Sequence, residues 1–252
     1  GQRWRLVEEV AAAGTCVGAL GHAAHCAVSG AAHGSGDLLS RPEPGYSCGT
    51  LADMSRGKGQ DRDLAECFIS VDVETGGATP ADYALLSIGA CLVDDPETTF
   101  YVELKPEAKR TTQEALEVSK LSLDILETMG EPPAEAMQRF ADWVLDVLPE
   151  GHRAVFVGFN AAFDWMFVAD YFERYVGRNP FGYTALDIKS FAMGRLGSTW
   201  AGTSMSVLGP EYLSGRPLAH HALSDAQDQA ALFRALYAEP VHRRTNREDD
   251  DS

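Results

Sequence analysis

At 252 residues, with 45% hydrophobic and 23% charged side chains, the chain has the size and texture of one substantial folded domain with appendages, which excludes wholly disordered, collagen-like and disulfide-framework classes. Its 21 basic and 37 acidic residues leave a formal net charge of −16, so any nucleic-acid partner has to be held locally rather than by general attraction to phosphate backbones. Five cysteines (Cys16, Cys26, Cys48, Cys67, Cys91), odd in number and without a C-x-x-C pair, argue against a disulfide or structural-zinc framework and point to a reducing, cytoplasmic setting.

Residues 1–60 are rich in Gly and Ala, hold few large aliphatics and sustain neither helical nor strand periodicity, and are expected to form a weakly ordered extension. Val10 to Ala32 makes a poor secretory signal, because Glu8 and Glu9 precede it and His22 and His25 interrupt it. His22, His25 and Cys26 lack a second ligand pair at zinc spacing, which favours no metal site there. Met54, followed by SRGKGQ, has the look of a chain start, so the residues before it are read as an extension or a start-site artefact. No apolar run reaches the roughly 18 residues of a membrane span.

Dense apolar runs then mark one domain over residues 61–240, which carries 13 basic and 28 acidic groups, before an acidic tail over residues 241–252. Strands are predicted at Cys67 to Val73, Leu85 to Val93 and Thr99 to Leu104, each rich in β-branched or aromatic residues. Met137, Phe140, Ala141, Val144, Val147 and Leu148 form one apolar stripe on a helix from Ala134 to Leu148. A buried strand follows at Ala154 to Phe159, then a helix from Phe163 to Val176 that stops at Gly177. The last helix is placed from Ser224, where Ser224 and Gln227 have capping-box spacing, through Leu236. Three strands followed by alternating helices and strands predict an α/β fold, a mixed sheet flanked by helices.

Three constellations of polar residues stand out against this frame. In FISVDVETGG the strand period of two places Ser70, Asp72 and Glu74 on one face, so two carboxylates about 6 to 7 Å apart leave the strand end together. Their repulsion, on the order of 2 to 3 kcal/mol at an effective dielectric of 20, asks for a cation or for solvent. Gly76 and Gly77 then leave room for a ligand or for a tight turn. In VFVGFNAAFDWMF, Asn160 ends a strand and serves as helix cap or substrate contact, while Asp164 enters the helix's first turn. The helix dipole alone accounts for an acid there, yet its position between Phe163 and Trp165 also fits a guarded functional carboxylate. In PLAHHALSDAQDQA, His220 precedes Asp225 by five residues, about 140° apart around a helix, which puts His220 on the preceding loop. From there an imidazole can reach a ligand and take a proton near neutral pH.

D-x-E at Asp72 and Glu74, an Asn with an Asp four later at Asn160 and Asp164, and H-x-x-x-x-D at His220 and Asp225 resemble, in this order, the motifs of the DEDDh family of 3'-5' exonucleases, which includes ribonuclease T, oligoribonuclease and proofreading exonucleases. His221 is one residue too close to fit. The resemblance implies a ribonuclease H-like fold in which Asp72, Glu74, Asp164 and Asp225 hold two Mg²⁺ or Mn²⁺ ions roughly 4 Å apart and His220 takes the proton from the attacking water. Thr75 and Gly76 would lie against the terminal nucleotide, and Phe163 or Trp165 would stack on a base unless they are core residues. It further implies trimming of short or single-stranded RNA from the 3' end to nucleoside 5'-monophosphates, with DNA digestion or proofreading as the alternative, and homodimers by analogy. An inactive protein-binding scaffold of the same fold, or a phosphodiesterase of small nucleotide conjugates, are the competing readings.

Overall fold

The computed structural model describes residues 64–107, 110–214 and 220–240; the extension expected over residues 1–60, its candidate ligands His22, His25 and Cys26, and the tail over 241–252 lie outside the described residues. Five strands form one sheet in the order β3-β2-β1-β4-β5: β1 (Ala65–Thr75), β2 (Leu85–Leu92), β3 (Thr99–Glu103), β4 (His152–Gly158) and β5 (Ala185–Asp187). β1 pairs antiparallel with β2 and parallel with β4, so the strand carrying the D-x-E motif is central and is buried on both faces from Ile69 to Thr75. This is the mixed sheet that the alternation of elements predicts.

Strand alternation divides the sheet into two unlike faces. Ile69, Val71 and Val73 of β1 enter the main core together with Met137, Phe140 and Val144 of α3 (Pro133–Asp146) and Phe167, Val168, Tyr171 and Phe172 of α4 (Ala161–Tyr175). The other face, bearing Ser70, Asp72 and Glu74, is covered by the helix at Ala222–Ala238, whose Phe233 meets Phe68 of β1 edge-on at 5.2 Å. α1 (Gln113–Ser119) and α2 (Leu123–Met129) close a smaller apolar cluster around Ala84, Leu86 and Leu126. Among the described residues, α5 (Ile188–Leu196), a short 3-10 turn at Ala201–Thr203 and α6 (Met205–Tyr212) complete the set, and the last helix (Ala222–Ala238) is α7. Among the described residues no helix is long and apolar enough to cross a membrane.

The structure departs from the sequence reading at several element ends. α7 starts at Ala222 with His221 at its N-cap, so Ser224 lies inside the helix and no capping box forms with Gln227. The reason is tertiary: Ala222 is buried against β2, and that packing, rather than a local hydrogen bond, sets the helix start. α1, α2, α5, α6 and β5 are missing from the sequence reading. β5 has only three residues, and α6 carries Pro210 inside it, a residue that sequence patterns read as ending a helix. The end of α4 follows its signal: Gly177, at φ +73°, returns its N–H to the Phe172 carbonyl at 2.9 Å.

A polar clamp fixes the chain after β3 to α4. Glu107 accepts from Arg174 at 2.7 and 3.0 Å and from the Tyr175 hydroxyl, and the Arg174 guanidinium lies over the rings of Tyr171 at 4.4 Å and Tyr175 at 4.9 Å. Burial works to raise the Glu107 pKa, but the hydrogen bonds from Arg174, Tyr175 and Tyr171 outweigh it and hold the carboxyl at about 2.

Candidate active site

The end of β1 delivers Asp72 and Glu74 to the α7 face of the sheet, and a register shift between Glu74 and Thr75 ends the regular pairing there. Asp225 arrives from the first turn of α7. Each of these three acids is at most 5% exposed, and carboxylate oxygens of all three lie within 4.8 Å of one another.

α7 reaches this position because of Gly89. Asp72 and Gly89 are cross-strand partners, and a Cβ on Gly89 would lie 2.1 Å from the Leu223 nitrogen and 2.2 Å from the Ala222 carbonyl carbon. The first turn of α7 therefore rests directly on the β2 backbone, close enough for Asp225 to meet the β1 acids. Sequence reasoning misses Gly89, whose only local signal is a glycine inside an apolar strand.

Asp164 is buried in the first turn of α4, and its Oδ1 accepts the backbone N–H of Val73, the residue between Asp72 and Glu74, at 3.1 Å. The sequence reading groups four acids; the structure brings three together and sets the fourth against the backbone that joins two of them. Both Asp164 and Asp225 sit at helix N-termini, where the helix dipole favours negative charge.

Asn160 occupies the α4 N-cap position but in a left-handed conformation, φ +63°, and its side chain makes no capping bond. Asp187 supplies the cap instead: one of its oxygens accepts from Ala161 N at 3.1 Å and the other from Ser190 N at 2.9 Å, joining the starts of α4 and α5. This corrects the expected capping role of the Asn160 side chain. Gln229, also absent from the sequence reading, is buried one turn beyond Asp225, donates to Asp72 Oδ1 at 2.8 Å and accepts from Phe159 N at 2.9 Å.

The two adjacent histidines go separate ways. His220 lies before α7 with φ +54°, a left-handed conformation in which a non-glycine residue is strained. His221 is exposed and stacks on Tyr101 of β3 with ring centroids 4.7 Å apart. Burial, then the hydrogen bond to Glu103, push the Tyr101 phenol well above its ordinary pKa, so this platform stays protonated.

The remaining expected contacts are engaged mainly within the protein. Thr75 is buried and donates its hydroxyl to the Gly77 carbonyl at 2.8 Å, while Gly76 pairs its N–H with Ala84 O and its carbonyl with Thr112 N. Phe163 and Trp165 are partly buried against the core, Trp165 edge-on to Phe156 at 5.3 Å. A more open aromatic is Trp200, 49% exposed, with the Lys189 ammonium 4.1 Å from its ring centre and 5.9 Å from that of Phe159.

Three converging buried carboxylates fit a hard divalent cation of the Mg²⁺ or Mn²⁺ kind, since the donors are all oxygen and at 4.8 Å each pair of charges repels by about 3 kcal/mol at an effective dielectric of 20. Asp72, Glu74 and Asp225 would hold it, with Asp164 adjoining.

Known proteins share this arrangement of elements. A model of the family described as 3'-5' exoribonuclease Rv2179c-like domain matches residues 67–237. The 3'-5' DNA exonuclease Cap18 of Escherichia coli is 45% identical over 175 residues, which is 68% of this chain and 91% of that protein. The nuclease domain of 3'hExo, a DEDDh family member solved with rAMP, superposes with a TM-score of 0.55 at 14% identity, covering 71% of this chain and 94% of that one. E. coli exonuclease I, solved with a dT13 oligonucleotide, gives 0.54 at 18% identity over 69% of this chain; the chain spans only 41% of that larger protein. S. pombe Pop2p, in a form with Mg²⁺ and Mn²⁺ bound, gives 0.51 at 15% identity, over 74% of this chain and 88% of that one. The fold is that of the ribonuclease H-like DEDDh exonucleases.

Proposed function

We propose that this chain, which belongs to the 3'-5' exoribonuclease Rv2179c-like domain family and is a 3'-5' exonuclease, uses divalent metal ions to remove nucleoside 5'-monophosphates from the 3' ends of short single strands, with DNA as the first substrate and RNA as the second. The observation that carries the proposal is the convergence of Asp72, Glu74 and Asp225 within 4.8 Å in a buried setting, inside the region that the family covers. The order of substrates follows the 45% identity to a protein named a DNA exonuclease, whereas the family description names RNA.

When bound at these carboxylates, divalent ions supply an activated water and charge stabilisation at the leaving oxygen. The protein's own groups do the rest. His220 takes the proton of the attacking water at its imidazole, a role worth about 10² to 10⁴ in rate. Trp200, with the buried Lys189 ammonium against its ring, offers an exposed face on which a base can stack, more accessible than the partly buried Phe163 and Trp165. A formal charge of −16 disfavours long duplexes and favours short ends held at the site.

The test is a side-by-side digestion of matched single-stranded DNA, single-stranded RNA and duplex, each 5'-labelled, with Mg²⁺ or Mn²⁺. The proposal predicts stepwise shortening from the 3' end, fastest on single-stranded DNA. Faster digestion of RNA reverses the sugar preference, and internal cleavage contradicts the exonuclease reading.

A further inference from the structure

We infer that Gln229 is a positioning residue that sets the orientation of Asp72 for metal binding; this rests on the reading of Asp72 as a metal ligand. Asp225 and Gln229 are four residues apart on α7 and so share one face of the helix. One turn thus contributes a carboxylate to the cluster and the next contributes an amide behind it.

The chemistry of Gln229's two partners fixes which way the amide points. The Phe159 backbone N–H can only donate, so it must face the amide oxygen, and the amide NH₂ is thereby turned toward Asp72 Oδ1. The residue is 3% exposed, so both bonds lie in a buried setting. A flipped amide would set N–H against N–H and oxygen against oxygen, so the buried arrangement has one stable orientation. Through it the backbone at the end of β4 holds one oxygen of an acid on β1, 157 residues away from Gln229 in sequence. Asp72 thereby keeps a defined rotamer despite the two neighbouring acids.

Two substitutions separate this role from simple filling of space. Gln229→Met keeps the volume and loses both hydrogen bonds. Gln229→Glu keeps the acceptor for Phe159 N and, ionised, sets a negative charge against Asp72 in place of the donor, so it retains the structural bond and replaces the positioning one with repulsion. Mn²⁺ binding is measured by calorimetry on each full-length protein at pH 8, together with kcat and KM on a single-stranded oligonucleotide and the melting temperature without metal. We expect Mn²⁺ affinity or kcat to fall about 10- to 100-fold in both variants, with KM within twofold of wild type. If Gln229→Met does not fold, Gln229→Glu decides alone. Affinity and kcat at or above the wild-type level in a folded variant overturn the inference. Wild-type protein that binds neither Mn²⁺ nor Mg²⁺ removes the metal-site reading itself, and this inference with it.

Discussion

Gly89 and Asp72 face each other across β1 and β2, and the space above Gly89 is filled by the backbone of Leu223. The missing side chain is what lets α7 bring Asp225 to the β1 acids. Gly89→Ala is expected to displace the start of α7, lowering exonuclease activity at least 100-fold and stability by about 1 to 3 kcal/mol. Gly194, on the exposed side of α5 with no atom within 4 Å of an added Cβ, is the control: Gly194→Ala should keep full activity and melt no lower than wild type. Melting curves and initial rates on the two variants check this, and an active Gly89→Ala enzyme contradicts it.

The clustered acids make a prediction about the metal-free protein. Three buried carboxylates within 4.8 Å repel one another, so Asp225→Asn removes charge repulsion while deleting a ligand. The variant should melt above wild type in EDTA, gain less from added Mn²⁺, and lose at least 1,000-fold in activity. Differential scanning calorimetry with and without Mn²⁺ measures the first two. A variant that melts below wild type in EDTA would mean that Asp225 is a net stabilising group.

His220 and His221 offer a contrast at neighbouring positions. His220→Ala should lower kcat by about 10² to 10⁴, the usual worth of a general base. His221→Ala removes only an exposed stack on Tyr101 and should leave kcat within threefold. Equal losses in the two variants would contradict the assignment.

Trp200→Ala should raise KM for single-stranded oligonucleotides about tenfold while kcat changes little, because stacking acts on binding and is worth about 1 to 3 kcal/mol per base. Steady-state kinetics on oligonucleotides of increasing length make the comparison. An unchanged KM at every length places the strand elsewhere.

The Glu107 clamp predicts a pH dependence of stability. Its folded pKa, about 2, lies below the ordinary value of 4.5, so the clamp contributes fully above pH 4.5 and is lost as pH falls through 2. Glu107→Gln should therefore be less stable than wild type near pH 7, and the gap should close as the pH is lowered from 4.5 toward 2. Urea unfolding of both proteins across that range measures the gap; a constant difference argues against an ionic clamp.

Which features were legible in the sequence follows from the range of the interactions that create them. Alternation along VDVET is local, and it places Asp72 and Glu74 on one face of β1 as the structure has them. The helix of Asp164 and the loop position of His220 are likewise marked by nearby residues. Gly89 and Gln229 acquire their roles only when α7 lands on β2 and β1, more than a hundred residues away in sequence, and no local pattern announces that. The same holds for Asp187, which replaces Asn160 as the cap of α4 from across the β4–β5 edge. Ser224 shows the converse, a correct local motif overridden by the burial of Ala222.

The most direct test of the carboxylate site is digestion of a 5'-labelled single-stranded DNA by wild type and Asp225→Asn, with Mn²⁺ and with EDTA. Wild type with Mn²⁺, and no other combination, should give a ladder receding one nucleotide at a time from the 3' end. Digestion that persists in EDTA, or an unchanged ladder with Asp225→Asn, would contradict it.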